Sequence, residues 1–307
     1  MCAFSCRCTS SSGHPKPEVS DVRIRSRSAV HVRLAGALVA LVIAAFNARA
    51  QDEPASRVAQ PHPSCNSSAD DYAPSSDVDG VSMLFTSERN GVAQTFRCDS
   101  EGNVQHLSGT VNASGKVGAY VNVLPSGEGL ATIYRPGIRQ SFASITTIAR
   151  TSGGLDMGSP LDVANGEFFT SQASIAPDRS RIMFVSNREG GVGGLDIWML
   201  ELRPDGTWSE PQHGGEAINS PGDEISPVLI APDTLLFASD AMGGQGGHDI
   251  YMSLLRGGRW TDPVPMSMLN SAWNDTDASR GSDGTYRLAS DRPGGRGGYD
   301  VWIVKPE

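Results

Sequence analysis

The sequence predicts an all-β protein, a β-propeller of about five four-stranded blades (six being the alternative), preceded by an N-terminal signal peptide. Three observations carry this. A segment recurs as "FVSNREGGVGGLDIWM" from Phe184, "FASDAMGGQGGHDIYM" from Phe237 and "LASDRPGGRGGYDVWI" from Leu288. Two fainter copies, "MLFTSERNGVAQTFRC" from Met83 and "LATIYRPGIRQSFASI" from Leu130, precede them. Anchored on Phe85, Tyr134, Phe184, Phe237 and Leu288, the five advance by 49, 50, 53 and 51 residues. Nothing after residue 50 carries a long, capped 3.6-residue period, and 35 glycines with 19 prolines in 307 residues favour turns over helices. Four-stranded units with a period near fifty are propeller blades, not isolated sites.

The strands of a unit read in order. "EISPVLI" (Glu224–Ile230) is the first, closed by the turn "APD"; "LLFAS" (Leu235–Ser239) is the second. After the glycine turn, "HDIYMSLL" (His248–Leu255) is the third, and "GGR" leads into "WTDPVPM" (Trp260–Met266) as the fourth. Alternating or continuous apolar residues, β-branched and aromatic, bounded by Gly, Pro, Asp and Ser, identify the middle two. The final unit stops after its third strand, "YDVWIVKPE". Part of residues 51–68, "QDEPASRVAQPHPSCNSS", is expected to supply the missing strand and cover the bare edge; otherwise this polar, aperiodic stretch is a linker. The propeller domain is placed at 69–307.

Residues 1–50 have the layout of a secretory signal. Arg23, Arg25, Arg27 and Arg33 precede the apolar run Leu34–Phe46, and Ala48 and Ala50 offer a cleavage site. The part before about Val22 reads as an overlong start. The run's 13 residues fall short of the roughly 20 a spanning helix needs, so no stable membrane insertion is expected after cleavage; a simple N-terminal anchor is the alternative. Export follows from this layout: the protein is expected to be periplasmic or secreted. Without residues 1–50, 18 basic and 32 acidic residues remain, a net charge of −14. Such a surface repels nucleic acid and anionic lipid and suits a basic partner. Of five cysteines only Cys65 and Cys98 lie beyond the signal, and neither has metal-binding spacing. In an oxidising compartment they suggest one disulfide, two free thiols being the alternative.

The glycine cluster invites sharper readings, and its context limits them. A calcium nonapeptide needs copies every nine residues, whereas these lie about fifty apart. A phosphate cradle needs a following helix, and a strand follows instead. "RGSDGTY" is not a nucleophile elbow. His106, His213 and His248 are scattered, so no metal, cofactor or catalytic residue is assigned. The glycines, Gly193, Gly246 and Gly297 among them, are expected to allow positive φ in a tight turn, with Asp196, Asp249 and Asp300 capping its backbone N–H groups. A second series leads into the first strands: Asp70 and Asp71, Glu167, Asp223 and Glu224, then Asp275 and Asp277, broken only by Lys116. These acids share one face with the glycine turns. Asp71, Glu167, Asp223, Glu224 and Asp275 are the candidate partner-binding residues at the channel mouth; the alternative is that they cap turns.

The units resemble the WD40-like repeat of the TolB propeller and its exported bacterial relatives. "MLFTSERNGVAQTFRCDSEGNVQHLS" is close to the TolB form. "SDRPGGRGGYDVWI", "WSEP" (Trp208–Pro211) and "INSPGDEISP" (Ile218–Pro227) match the longer exported form. The likeness spans about Asp70 to Pro306, but lacks TolB's separate N-terminal domain and has five units where that family has six. It implies a non-enzymatic module that binds an envelope protein or peptide at the channel face. A five-bladed glycosidase, which needs two opposed carboxyl groups, or a carbohydrate-binding protein is the alternative.

Overall fold

The computed structural model describes residues 59–113, 117–135 and 142–305; the expected signal peptide, the first part of the arm and Lys116 lie outside them. Strand β1 (Gln60–Pro61) opens the described chain. Blade 1 is β2 (Asp71–Ser76), β3 (Met83–Ser87), β4 (Gln94–Cys98) and β5 (Val104–His106). Blade 2 is β6 (Val117–Val123), β7 (Glu128–Arg135), β8 (Phe142–Thr151) and β9 (Gly154–Pro160). Blade 3 is β10 (Thr170–Ile175), β11 (Arg181–Ser186), β12 (Asp196–Glu201) and β13 (Gln212–His213). Blade 4 is β14 (Glu224–Ala231), β15 (Thr234–Ser239), β16 (Asp249–Arg256) and a divided outer strand, β17 (Arg259–Trp260) and β18 (Val264–Pro265). Blade 5 is β19 (Asp275–Arg280), β20 (Tyr286–Ser290) and β21 (Asp300–Val304), completed by β1. All pairings are antiparallel. Among the described residues helix is confined to one 3-10 turn at Thr110–Asn112, and no helix is long and apolar enough to cross a membrane.

Ring closure uses the arm. Gln60 pairs with Ile303 and Pro61 with Trp302, so the first described strand is the outer strand of the last blade. The outer strand of blade 4, expected to be continuous, breaks between Trp260 and Val264. Pro263 cannot donate to the ladder, and the Thr261 side chain instead bonds the Leu254 N–H at 3.1 Å.

One asparagine per blade pins a third strand near its start. Asn112 bonds both backbone groups of Thr95, Asn165 those of Ile145, Asn219 those of Ile197 and Asn270 those of Ile250. Asn66, on the arm, does the same for Val301 at 2.9 Å in each direction. Apolar cores fill each gap between blades, as where Leu236 and Ile250 of blade 4 meet Leu288 and Trp302 of blade 5. The second strands are buried almost end to end, β3, β15 and β20 among them, which suits strands covered on both faces.

Candidate functional site

The first strands β2, β6, β10, β14 and β19 touch one another in sequence around the axis. Each carries a bulge at the same register. At each bulge one non-glycine residue has left-handed backbone: Ala73, Tyr120, Gln172, Ser226 and Asp277, with φ between +49° and +55°. Such backbone is costly for residues with a Cβ and persists only where surroundings enforce it. Here neighbouring blades do so, because the bulge turns an N–H out of its own ladder. Thr86 accepts the Tyr120 N–H at 3.3 Å, Thr132 that of Gln172 at 2.9 Å, the Gln172 side chain that of Ser226 at 2.8 Å, and the Asp277 carboxylate that of Ala73 at 3.0 Å. The Ser226 hydroxyl also bonds Asp277. Together these side chains plug the channel.

Aromatic residues gather at the plug: the Tyr72 and Tyr120 rings lie 5.7 Å apart, and those of Tyr134 and Phe169 6.5 Å apart. Burial raises the Tyr72, Tyr120 and Tyr134 phenols, Tyr134 to about 12, so all remain protonated at neutral pH. Below the plug, toward the turns joining first and second strands, lies a cavity of about 320 Å³ bounded by Gly80, Pro125, Pro177, Ile230 and Ser282.

The acids at the strand entrances have other work. Asp71, Glu224 and Asp275 are fully buried. Asp71 accepts from the Ser67 N–H and from Arg89 at 2.9 Å; Asp275 accepts from Ser271 and pairs with Arg292. Glu224 accepts from the Ser220 and Ser239 hydroxyls and the Ser220 N–H. Asp223 accepts the Leu195 N–H of blade 3 at 2.8 Å. Asp70 and Asn274 likewise accept the Tyr299 and His248 N–H groups of their preceding blades. The role passes to an uncharged Asn274, so it needs an acceptor and not a charge. Glu167 is exposed, and Thr170 takes the acid's register position in blade 3, paired with Ser186 as Asp71 is with Ser87. The five candidates therefore do not converge on the channel mouth.

Blade 3 keeps the arginine without the acid. Arg188 stacks 4.9 Å over Phe184 and 5.3 Å over Trp198, and burial lowers its pKa. Blade 4 keeps an acid without the arginine, since Ala241 stands there, and burial pushes the Glu224 carboxyl up.

The glycine turns join the blades. Asp196, Asp249 and Asp300 cap the N–H groups of Val192, Gly246 and Gly297 at 2.9–3.0 Å. Positive φ belongs to the first glycine of each cluster, Gly190, Gly243 and Gly294, and not to Gly193, Gly246 or Gly297. The latter three are needed for close approach: a Cβ there would enter the carbonyl oxygens of Gly222, Trp273 and Ala69 in the next blade's entrance. Cys65 and Cys98 are disulfide-bonded with Cα atoms 6.0 Å apart. His62 Nε2 lies 3.5 Å from Cys65 Sγ, but sulfurs joined to each other offer no thiolate to a metal.

On the face carrying these turns, Glu88, Glu167, Glu189 and Asp240 are exposed. Val92, Phe168, Val192 and Trp273 are exposed on the same face, Trp273 to 45%. Of this set sequence reasoning named only Glu167; it missed the rest and the plug. The exposed acids at Glu88 and Asp240 do follow the repeated serine that ends each second strand.

Asp277 is the one carboxylic acid of the plug. Burial raises its carboxyl above the ordinary 3.8, opposed by the bonds from Ser226 and Ala73. A raised folded-state pKa gives stability that is complete below the unfolded value and is lost as pH rises through the folded value. Asp277→Asn, which cannot ionise, is therefore expected to lose less stability than the parent as pH is raised from about 4 to 7. This holds whatever the variant's stability at low pH, where one of the two donors from Ser226 and Ala73 faces an amide NH2. Urea midpoints at successive pH values test this; parallel pH profiles would contradict it.

No protein-family model matches the chain, and no curated protein matches it. Solved structures do. An endo-arabinase from Bacteroides thetaiotaomicron VPI-5482 has a TM-score of 0.51 at 12% identity, over 77% of this chain and 94% of that one. An exo-beta-1,3-galactanase from Clostridium thermocellum has a TM-score of 0.49 at 12% identity, over 80% and 62%. TolB from Acinetobacter baumannii has a TM-score of 0.46 at 14% identity, over 78% of this chain; the match spans only 55% of TolB. At these identities the likeness is one of fold: the chain is a five-bladed all-β propeller whose structural neighbours include TolB, an endo-arabinase and an exo-galactanase alike.

Proposed function

We propose that the protein is an exported, non-enzymatic binding module, with a WD40-like repeat of the TolB type. It holds a positively charged segment of an envelope protein or peptide against the face that carries the glycine turns. The observation behind this is the shared placement of exposed Glu88, Glu167, Glu189 and Asp240 with exposed Val92, Phe168, Val192 and Trp273. Acids at a rim steer a cationic partner and set its salt dependence; a tryptophan and a phenylalanine supply the anchoring apolar area. The signal-like layout of residues 1–50 supports export to the periplasm or beyond.

The channel favours binding over glycoside hydrolysis. Hydrolysis needs two carboxyl groups about 5–9.5 Å apart across a sugar. Asp277 sits in the plug, while the other cavity acid, Asp77, is held by Arg97 and Arg150 at 2.8 and 3.0 Å. The test is capture of the partner from envelope extract at increasing salt. Trp273→Ala is expected to weaken retention roughly thirtyfold, about 2 kcal/mol. The triple variant Glu88→Gln, Glu167→Gln, Asp240→Asn is expected to flatten the salt dependence. Retention and salt dependence unchanged in both would refute this reading.

A further inference from the structure

We propose that the cavity beneath the plug is a separate binding site, for a small molecule carrying a primary ammonium group on a compact apolar body. The site is independent of the docking face, which lies at the other end of the channel.

The cavity's roof includes Asp277, only 6% exposed. Its two oxygens each accept a hydrogen bond, one from Ser226 and one from the Ala73 N–H. The carboxylate is thus held like an anion that has donors but no counter-ion. Among the described residues no arginine, lysine or histidine bonds it. Tyr72, Tyr120, Tyr134, Tyr299 and His248 lie within electrostatic reach of it, and Arg280 stands at the cavity wall, its guanidinium 5.5 Å over the Tyr286 ring. A buried carboxylate without a partner cation is expensive.

A second, independent observation lies two residues past the bulges. There Asn122 accepts the Ile175 N–H at 3.0 Å, and Ser174 accepts the Leu229 N–H at 3.1 Å, each joining one blade to the next. The equivalent residues of the blades flanking the Asp277–Ala73 contact are Ser279 and Ser75. Both residues line the cavity and are 4% and 9% exposed, and their hydroxyl oxygens are buried with no partner, so that a rotation about Cα–Cβ would turn them toward a ligand. Buried hydroxyls left unpaired cost on the order of 1–3 kcal/mol each, so a ligand that bonds them gains affinity. The rest of the lining is largely apolar, with Val123, Ile175, Val228 and Ile230. At about 320 Å³ the space is at the small end of ligand pockets, which run from roughly 300 to 1,000 Å³.

An ammonium group matches this set. It brings three donors and no acceptor, suiting one carboxylate and two hydroxyl oxygens, and it supplies the missing positive charge. A divalent cation needs six or more oxygen ligands, which walls this apolar do not provide. A neutral polyol would leave Asp277 uncompensated, and an anion would face it directly.

The full chain should be titrated calorimetrically with primary amines from n-butylamine to 2-phenylethylamine, each against the alcohol of the same carbon skeleton. The best amine is expected to bind at least tenfold more tightly than its alcohol, with Asp277→Asn removing that difference. Ser279→Ala should weaken amine binding severalfold, and Val228→Trp, which fills the cavity, should abolish it. If Asp277→Asn does not fold cooperatively, the last two variants decide. No binding across the series, equal binding of amine and alcohol, or binding that survives Val228→Trp would overturn the proposal. Trp273→Ala should leave amine binding intact, separating this result from the fate of the docking face.

Discussion

Gly246→Ala is expected to destabilise the protein by more than about 3 kcal/mol, whereas Gly243→Ala, three residues earlier in the same turn, should cost about 1 kcal/mol. The two glycines are present for different reasons. Gly243 has φ +78°, and a Cβ there would meet nothing within 4 Å, so alanine incurs only the backbone penalty. Gly246 has no such φ, but its added Cβ would occupy the carbonyl oxygen of Trp273, with the Ser271 carbonyl oxygen 3.0 Å away. Neither backbone can move alone. The Gly246 N–H is capped by Asp249 at 2.9 Å, the neighbouring His248 N–H is held by Asn274 at 3.1 Å, and Asp275 donates its N–H back to the His248 carbonyl at 2.8 Å. Steric strain at Gly246 therefore presses apart blades 4 and 5, and with them the core of Leu236, Ile250, Leu288 and Trp302. Urea unfolding of both variants checks this. Equal losses would mean that backbone conformation, and not contact between blades, explains the cluster.

The contrast also explains what could be read before the structure. The blades were legible because each repeats a hydrogen-bonded meander whose apolar and turn positions must recur. The acids recurred just as regularly, and that regularity concealed their meaning. Asp70 and Asp223 recur because each accepts an N–H from the preceding blade, and Asn274, which does the same without a charge, is the residue in the sequence that marks this. The asparagines could also have been found: "CNSS", "INSP" and "LNSA" align, which places Asn66 in the same role as Asn219 and Asn270 and joins the end of the arm to the ring. The plug left no such trace. Ala73, Tyr120, Gln172, Ser226 and Asp277 share a backbone conformation and no side-chain chemistry, so no pattern of residue types could reveal that they meet. The cavity depends on that same ring and was invisible for the same reason.

Replacing both Cys65 and Cys98 with alanine is expected to cost about 3–4 kcal/mol and to lower Tm by roughly 6–15 °C. The bond spans 33 residues of sequence, and the chain-entropy model assigns a loop of that size a stabilisation in this range. Its position concentrates the effect. Cys98 ends β4 of blade 1, while Cys65 follows β1, the strand that closes blade 5 through only Gln60 and Pro61. Both sulfurs are buried with Met83, Phe85, Phe96 and Val301, in the core where the first and last blades meet. Without the bond, the arm is still held by Asn66 on Val301 and by the His62 N–H on the Val301 carbonyl at 2.8 Å. The ring should therefore close less tightly but not dissolve. The variant should still melt cooperatively, with hydrogen exchange accelerated first at His62 and Val301 while Ile197 and Ile250, pinned by their own asparagines, stay protected. Non-reducing peptide mapping should recover the two cysteines as one linked pair. Two free thiols in that map, or an unchanged Tm in the double variant, would show that hydrogen bonds and packing at the seam hold the ring closed without the disulfide.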